Sequence, residues 1–262
     1  MATTIIRNAR NSDKSKVLIF CKNTFSWGDY IEYVWDYWMS EGNLFVVENQ
    51  YPIGICHAFF SKNQVWIEGI RINSDFRRQG LASQLIKHVE LISKEKQLHI
   101  SFMLIDTENL SSILMAKNLN YQIFQTWNFY SLLPQVNNNH KIQFAKNLNL
   151  TKISHYVKSW RWLVLDKDTS LSLCKQNKII FSDNSGDISI AIISDSEHFD
   201  KTLIVTLFSG SQINTLEIIS YIQNYGAEKN YKKIQILTKE KLPFTNTLEH
   251  KITFNLMKKF LH

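Results

Sequence analysis

The chain has 262 residues, 44% of them hydrophobic and 20% charged, with a formal net charge of +7. Such a composition excludes a disordered, collagenous or disulfide-stapled chain and leaves room for one large core or two smaller ones. The charge is uneven, with 13 Lys and Arg against 12 Asp and Glu in residues 1–140 and 17 against 11 in the rest. The surplus lysines are scattered over helix faces and strand ends, which is the pattern of a solvated surface rather than of a nucleic-acid groove. No long apolar run or charged-then-apolar leader is legible, so no membrane partner and a cytoplasmic location are expected. The three cysteines, Cys21, Cys56 and Cys174, make no CxxC pair and stand by no histidine pair, so no metal is expected.

In chain order, Thr3 to Arg7 reads as a β-branched strand, and Ser12 or Asp13 can cap a helix carrying Val17, Leu18, Phe20 and Cys21 inward. A second helix is expected over Tyr30 to Met39. Strands at Leu44–Glu48 and Ile53–Phe60 bracket the turn Asn49-Gln50-Tyr51-Pro52, and Val65–Ile72 is the next strand. A helix from Gln79 to Lys94 places Leu81, Leu85, Ile86, Val89 and Ile92 on one face. A strand at His99–Ile105, a short helix at Asn109–Lys117 and a strand at Tyr121–Ser131 follow. Pro134 and Asn137-Asn138-Asn139 then break the pattern, which places a linker between domains spanning 1–135 and 141–262. The second half reads as strands at Trp160–Leu165, Ile179–Ser182, Ile188–Ser194, Leu203–Phe208 and Lys233–Leu237, with helices at Gln212–Glu228 and His250–Phe260. The fold class is thus α/β (α+β), a mixed twisted sheet flanked by helices.

The strand at Val65–Ile72 leads through Asn73-Ser74-Asp75-Phe76 into Arg77-Arg78-Gln79-Gly80-Leu81-Ala82. An apolar strand that passes through a basic, glycine-containing loop into a helix suits an anion. The first helical turn offers unpaired N–H groups and the positive end of the dipole, Gly80 and Ala82 permit close approach, and Arg77 and Arg78 can fork onto phosphate. Neither a P-loop nor a Rossmann glycine pattern is present.

This stretch resembles motif A of the Gcn5-related N-acetyltransferases, Gln/Arg-x-x-Gly-x-Gly/Ala, with Arg77, Gly80 and Ala82 at its fixed positions. The order of elements in the first half agrees with that family. The resemblance implies an acyl-CoA N-acyltransferase fold whose fourth and fifth strands part around the pantetheine of acetyl-CoA. Ile70, Arg71 and Ile72 would then supply backbone contacts, and Arg77, Arg78, Gln79, Gly80, Leu81, Ala82 and Ser83 would hold the pyrophosphate. The family's Asn-x-x-Ala-x-x-x-Tyr helix is met by Asn109 and Ser112, but Ala116 stands where the tyrosine that protonates the thiolate is expected. Tyr121 and Tyr130 are the substitutes in view.

Acetyl transfer requires a neutral amine and a donor for the developing oxyanion. Glu68 is the expected base. By strand alternation it shares a face with Ile70, whose N–H the resemblance assigns to the oxyanion. The competing reading pairs Glu68 with Arg71 or another cation. His57 on the preceding strand is expected at the acceptor site, where it could also serve as base or relay, although a hydrogen-bonded structural histidine is the plainer reading. The aromatic run Trp27–Trp38 occupies the acceptor side, where Trp27, Asp29 and Tyr30 are expected to contact the substrate. Together with Trp66–Ile72 it is similar to the histidine N-acetyltransferase branch, which implies a small amino acid or related amine as acceptor. The second half resembles a degenerate copy of the same fold, without Arg-x-x-Gly-x-Ala before its helix, and is expected to bind no acetyl-CoA but to cover the first half or close its cleft, with Trp160 and Trp162 as candidates. The expected protein is an acetyl-CoA-dependent N-acetyltransferase, monomer or homodimer. A peptide N-terminal or lysine acetyltransferase, or a non-catalytic acyl-CoA sensor, is the alternative.

Overall fold

The computed structural model describes residues 4–22, 24, 28–138, 140–146, 153–242 and 247–261. The chain forms two compact units, one of residues 1–124 with 256–262 and one of residues 125–255. The division falls at Phe124 rather than in the Leu132–His140 stretch, and the last residues belong to the first unit.

The first unit begins with β1 (Ile5–Asn8), α1 (Lys14–Cys21) and α2 (Ile31–Glu41), followed by β2 (Leu44–Asn49), β3 (Tyr51–Ser61) and β4 (Gln64–Ile72). It continues through α3 (Leu81–Glu95), β5 (Ile100–Asp106), α4 (Leu110–Asn118) and the start of β6 (Gln122–Leu132). β1 to β4 form an antiparallel ladder, and β5 joins β4 in parallel. The alternation read from the sequence sorts this sheet into two faces. Cys56, Val65, Ile67 and Met103 meet Leu85, Ile86 and Val89 of α3 on one face. Ile55 and Val46 meet Val17, Val34, Trp35 and Trp38 of α1 and α2 on the other. Burial of these side chains contributes roughly 2 kcal/mol each and drives the three helices onto the sheet. The chain's last strand lies beside β5, where Met257 and Leu261 enter the α3 side of the core and Lys259 Nζ meets Glu90 Oε2 at 2.7 Å.

The second unit takes β6 from Gln125 on, then β7 (Gln143–Phe144), β8 (His155–Lys158), β9 (Arg161–Val164), α5 (Lys167–Lys175) and β10 (Ile179–Ser182). β11 (Ser189–Asp195), β12 (Thr202–Phe208), α6 (Gln212–Glu228), β13 (Lys233–Thr238) and β14 (Leu248–Phe260) complete it, β14 as far as Asn255. Its strands run in the order β7, β10, β11, β12, β13, β6. Ile218, Ile219 and Ile222 of α6 pack on Val205, Ile234 and Ile236.

Three parts of the second half differ from the sequence reading. The expected helix at His250–Phe260 is the strand β14. Ile252, Thr253 and Phe254 favour extended backbone, and Asn255, Leu256 and Met257 are buried in succession, a burial on both faces that shows neither a helical nor a strand period. The helix α5, which the sequence reading lacks, is capped by Asp166, whose carboxylate accepts from Thr169 N–H at 2.9 Å. β7 and β8 are likewise strands where none is expected. At the start of the chain, Thr3 lies outside the described residues.

Candidate active site

β4 and β5 run side by side from Gln64↔Ile100 to Ile67↔Met103, and there their pairing stops. Both strands continue, β4 to Ile72 and β5 to Asp106, so a gap opens between them at their C-terminal ends. The cause lies in β4. His57 faces Glu68 and Ile55 faces Arg71, so Cys56 alone stands opposite both Gly69 and Ile70. Such an extra residue is a β-bulge, and Gly69 takes the left-handed φ of 64° that its sharp bend requires.

The bulge reverses the alternation that places Glu68 and Ile70 on one face. Ile70 and Ile72 pack toward the α3 side, whereas Glu68 and Arg71 both face α2, together with His57. Backbone directions follow from the same geometry. Asn73 N–H bonds to the Ile53 carbonyl across β3 at 2.8 Å, so by alternation Ile70 and Ile72 present their N–H and C=O groups to the gap while those of Arg71 point to β3. The Ile70 carbonyl accepts from Arg71 Nη1 at 3.0 Å and the Ile72 carbonyl from Arg77 Nε at 3.1 Å. Of the three backbone contacts expected at Ile70, Arg71 and Ile72, the outer two are therefore directed into the gap.

At the end of β4 the chain enters α3 through Arg77, Arg78, Gln79 and Gly80, all exposed. Arg78 and Gly80 have left-handed φ values of 60° and 76°. The first bond of the helix is Gln84 N–H to Gly80 C=O, and no side chain caps the turn, so the amides of Leu81, Ala82 and Ser83 have no helical partner. Among the described residues, no atom lies within 4 Å of where a Cβ on Gly80 would stand. Three donors at the positive end of a 15-residue helix, with two arginines beside them, are suited to a phosphate or pyrophosphate.

On the α2 side of β4, Glu68 Oε1 meets His57 Nδ1 at 2.9 Å and Glu68 Oε2 accepts from Trp66 Nε1 at 3.1 Å. The Glu68 side chain keeps 11% of its surface exposed and His57 none. The His57 ring lies flat against Trp38, with centroids 4.7 Å apart and planes at 2°. Arg71 is engaged by Asp29. Its Nε and Nη2 fork onto the Asp29 carboxylate at 2.6 and 3.2 Å, and its guanidinium lies over the Tyr30 ring at 5.2 Å. Asp29, which is expected to contact the substrate, pairs with Arg71 and accepts from the Ile31 N–H at the start of α2. Burial pushes the Tyr30 phenol up against the pull of Arg71, so it remains a proton donor. Trp27 lies outside the described residues. Trp66 and Trp38 enter the site without having been singled out for it, and the isolated Gly69 inside an apolar strand was the sequence signal for the bulge.

The short helix after β5 shows what Asn109 and Ser112 do locally. Asn109 caps α4, its Oδ1 accepting from Ser112 N–H at 3.1 Å and from Ser111 Oγ at 3.0 Å. Ala116 is fully buried. Tyr121 does not replace the missing tyrosine: its hydroxyl joins Ser101 Oγ at 2.6 Å and Glu90 Oε1 at 3.0 Å, beside the paired end of β5 rather than at the gap. Burial and the neighbouring Glu90 push this phenol well up. Tyr130 lies in the second unit, where its hydroxyl accepts from Leu242 N–H at 3.1 Å. Among the described residues there is no group of His, Cys, Asp and Glu able to hold a metal, and no helix long and apolar enough to cross a membrane.

The second unit repeats the order strand, helix, parallel strand in β12, α6 and β13, with a different outcome. β12 and β13 stay paired from Thr202↔Lys233 to Leu207↔Thr238, and no gap opens. The N-terminus of α6 is capped by Ser211 and covered by the turn before β11. Asn214 Nδ2 donates to the Ser185 and Asp187 carbonyls, both at 2.8 Å, and a Cβ on Gly210 would stand 2.3 Å from the carbonyl oxygens of Asp187 and Ile188. Trp160 and Trp162 are spent within this unit, Trp160 Nε1 on Gln235 at 2.8 Å and Trp162 against Trp127 at 5.3 Å.

A mixed sheet whose central parallel pair parts at a bulge, with an uncapped helix N-terminus at the end of the first strand of that pair, is the architecture of the acyl-CoA N-acyltransferases. The sequence of the first unit agrees: residues 12–121 match the model of the acetyltransferase (GNAT) family. Solved structures similar over nearly the whole chain support the fold. A GCN5-related N-acetyltransferase from Sphaerobacter thermophilus has a TM-score of 0.65 at 10% identity, covering 99% of this chain and 96% of its own. A Thermoplasma acidophilum protein assigned as an acetyltransferase has a TM-score of 0.61 at 11% identity, with 98% and 99% covered. Another so assigned, from Pyrococcus horikoshii, has 0.56 at 12%, with 98% and 89% covered. At these identities the likeness speaks of fold alone. No curated protein matches the chain.

Proposed function

We propose that the chain moves the acetyl group of acetyl-CoA to the primary amine of a small molecule, such as an amino acid or related amine, with Glu68 as general base. The observation that carries this reading is the gap between β4 and β5. Its wall offers the backbone groups of Ile70 and Ile72, its mouth carries the free amides of Leu81, Ala82 and Ser83, and Glu68 stands on the α2 side of the same bulge.

In this reading the pantetheine pairs with the Ile70 and Ile72 edge and the pyrophosphate rests on the start of α3, with Arg77 and Arg78 adding charge. Glu68 takes a proton from the acceptor ammonium, and the free amine attacks the thioester carbonyl. The Ile70 N–H stabilises the oxyanion that develops as the C–N bond forms. When the C–S bond breaks, the acylated nitrogen loses its extra proton to a neighbouring water, which relays a proton to the departing thiolate, a step that a thiol of pKa about 8.5 permits without a dedicated acid. Tyr30, Trp38 and Trp66 crowd the face from which the amine must come, and the low exposure of Glu68 favours a slender acceptor.

The second unit, with its closed strand pair and covered helix start, is read as a degenerate copy that binds no acetyl-CoA. The experiment is thiol release from acetyl-CoA across a panel of amino acids, polyamines and short peptides, for the native chain and Glu68→Gln. Acetylation of at least one free amine, falling about 100-fold or more in Glu68→Gln, is expected. Turnover confined to peptides would replace the small-molecule acceptor, and tight acetyl-CoA binding without turnover on any amine would replace the enzyme by a sensor.

A further inference from the structure

Among the described residues, His57 is the one fully buried histidine, and the proposed reaction gives it no task. Both of its ring nitrogens are engaged. Nδ1 meets Glu68 Oε1 at 2.9 Å, while Nε2 meets the Gly42 carbonyl at 3.2 Å and lies 3.6 Å from Glu41 Oε2. The two carboxylates therefore face opposite edges of one ring, Glu68 from β4 and Glu41 from the end of α2. Trp38 covers the ring's face in parallel and prevents it from turning. Trp66 Nε1 holds the other oxygen of Glu68. Arg71 on this face forks onto Asp29.

We propose that His57 is the positioning residue of Glu68. The register of β3 and β4 sets the two side chains opposite each other on one face, and the clamped imidazole donates to the carboxylate that receives the amine proton. A donor to the ionised form of a carboxyl favours that form, so His57 both orients Glu68 and keeps it able to accept a proton. This role rests on the reading of Glu68 as general base.

Two isosteric substitutions separate this role from a structural one. The amide nitrogen of Asn reproduces the place of Nδ1 and can still donate to Glu68, whereas that of Gln reproduces Nε2 and can still donate to the Gly42 carbonyl. His57→Gln should lower kcat by about tenfold or more and move the acid limb of the pH–rate profile upward, with acetyl-CoA affinity unchanged within about twofold. His57→Asn should recover most of the rate. The double variant His57→Gln, Glu68→Gln should be no slower than Glu68→Gln alone. Recovery by Gln instead of Asn, or losses that multiply in the double variant, would overturn the role. A readout independent of turnover separates this inference from the proposed activity. In 13C NMR, the Glu68 carboxyl should titrate at higher pH in His57→Gln than in the native chain and move less in His57→Asn. An unmoved titration in folded His57→Gln overturns the positioning role, while a moved titration in a chain that acetylates no amine upholds it and removes only the activity.

Discussion

Gly69 and Trp38 are fitted to each other: a Cβ on Gly69 would stand 2.3 Å from Cη2 of the Trp38 indole. The glycine bends β4, and the indole fills the space left by the missing side chain while stacking on His57.

Gly69→Ala should therefore cost stability twice, once for the left-handed φ and once for the clash. The sum is about 2 to 4 kcal/mol, read from denaturant unfolding. Acetyl transfer should fall further than stability does, because the bulge also orients Glu68 and opens the gap. A loss below about 0.5 kcal/mol would mean that the bulge is not held by this contact.

Reversing the charge at the start of α3, with Arg77→Glu and Arg78→Glu together, should weaken CoA binding by about 100-fold or more in calorimetry. Both side chains are exposed, so the melting temperature should move little. The native chain should bind one CoA, since the second unit's strand pair stays closed. An unchanged affinity, or two equivalent sites, would contradict the assignment.

Acid should loosen the corner where Arg7 bonds to Asp13 at 2.7 Å and to Glu48 at 2.5 Å. Burial alone would raise the Asp13 carboxyl, but the Arg7 guanidinium and the Arg10 N–H outweigh it and hold the carboxyl below its ordinary range. The Arg7 hydrogen bond does the same for Glu48. A group whose folded value is depressed contributes stability that is present in full above the unfolded value, near pH 4, and is lost as pH falls through the folded value. Urea unfolding of Asp13→Asn should thus differ most from the native chain at neutral pH and converge with it in acid. A difference independent of pH would show that the carboxylate charge is not what stabilises the corner.

Ending the chain at Asn255 should unfold the first unit, although it leaves every residue of the proposed site in place. It removes Leu256, Met257 and Leu261, all buried, together with the Lys259 ammonium that faces Glu90. Apolar burial of roughly 2 kcal/mol per side chain, added to an unpaired Glu90, is comparable to the whole stability of a small domain. Native-like hydrogen exchange in β4 and α3 of the shortened chain would refute this.

Much of the first unit was legible because its elements carry a clear period. Leu81, Leu85, Ile86 and Val89 mark α3 by spacing alone, and the motif from Arg77 to Ala82 marked the helix start that the structure leaves uncapped. Elements that depend on distant partners were illegible. β14 reads as a helix because its burial comes from strands more than a hundred residues away in sequence, not from its own pattern. Asp29 looked available to a substrate amine because nothing local discloses that Arg71, 42 positions later, takes its carboxylate.

By itself the sequence determined the uncapped helix start from Arg77 to Ser83, because such a feature is built from consecutive residues. Tertiary structure alone decided the arrangement around Glu68. The β3–β4 register put Glu68 opposite His57, and one extra residue at Gly69 exchanged the faces of Ile70 and Arg71 and sent Arg71 to Asp29. Strand alternation is counted residue by residue along the chain, and a bulge shifts that count only where a neighbouring strand sets the register.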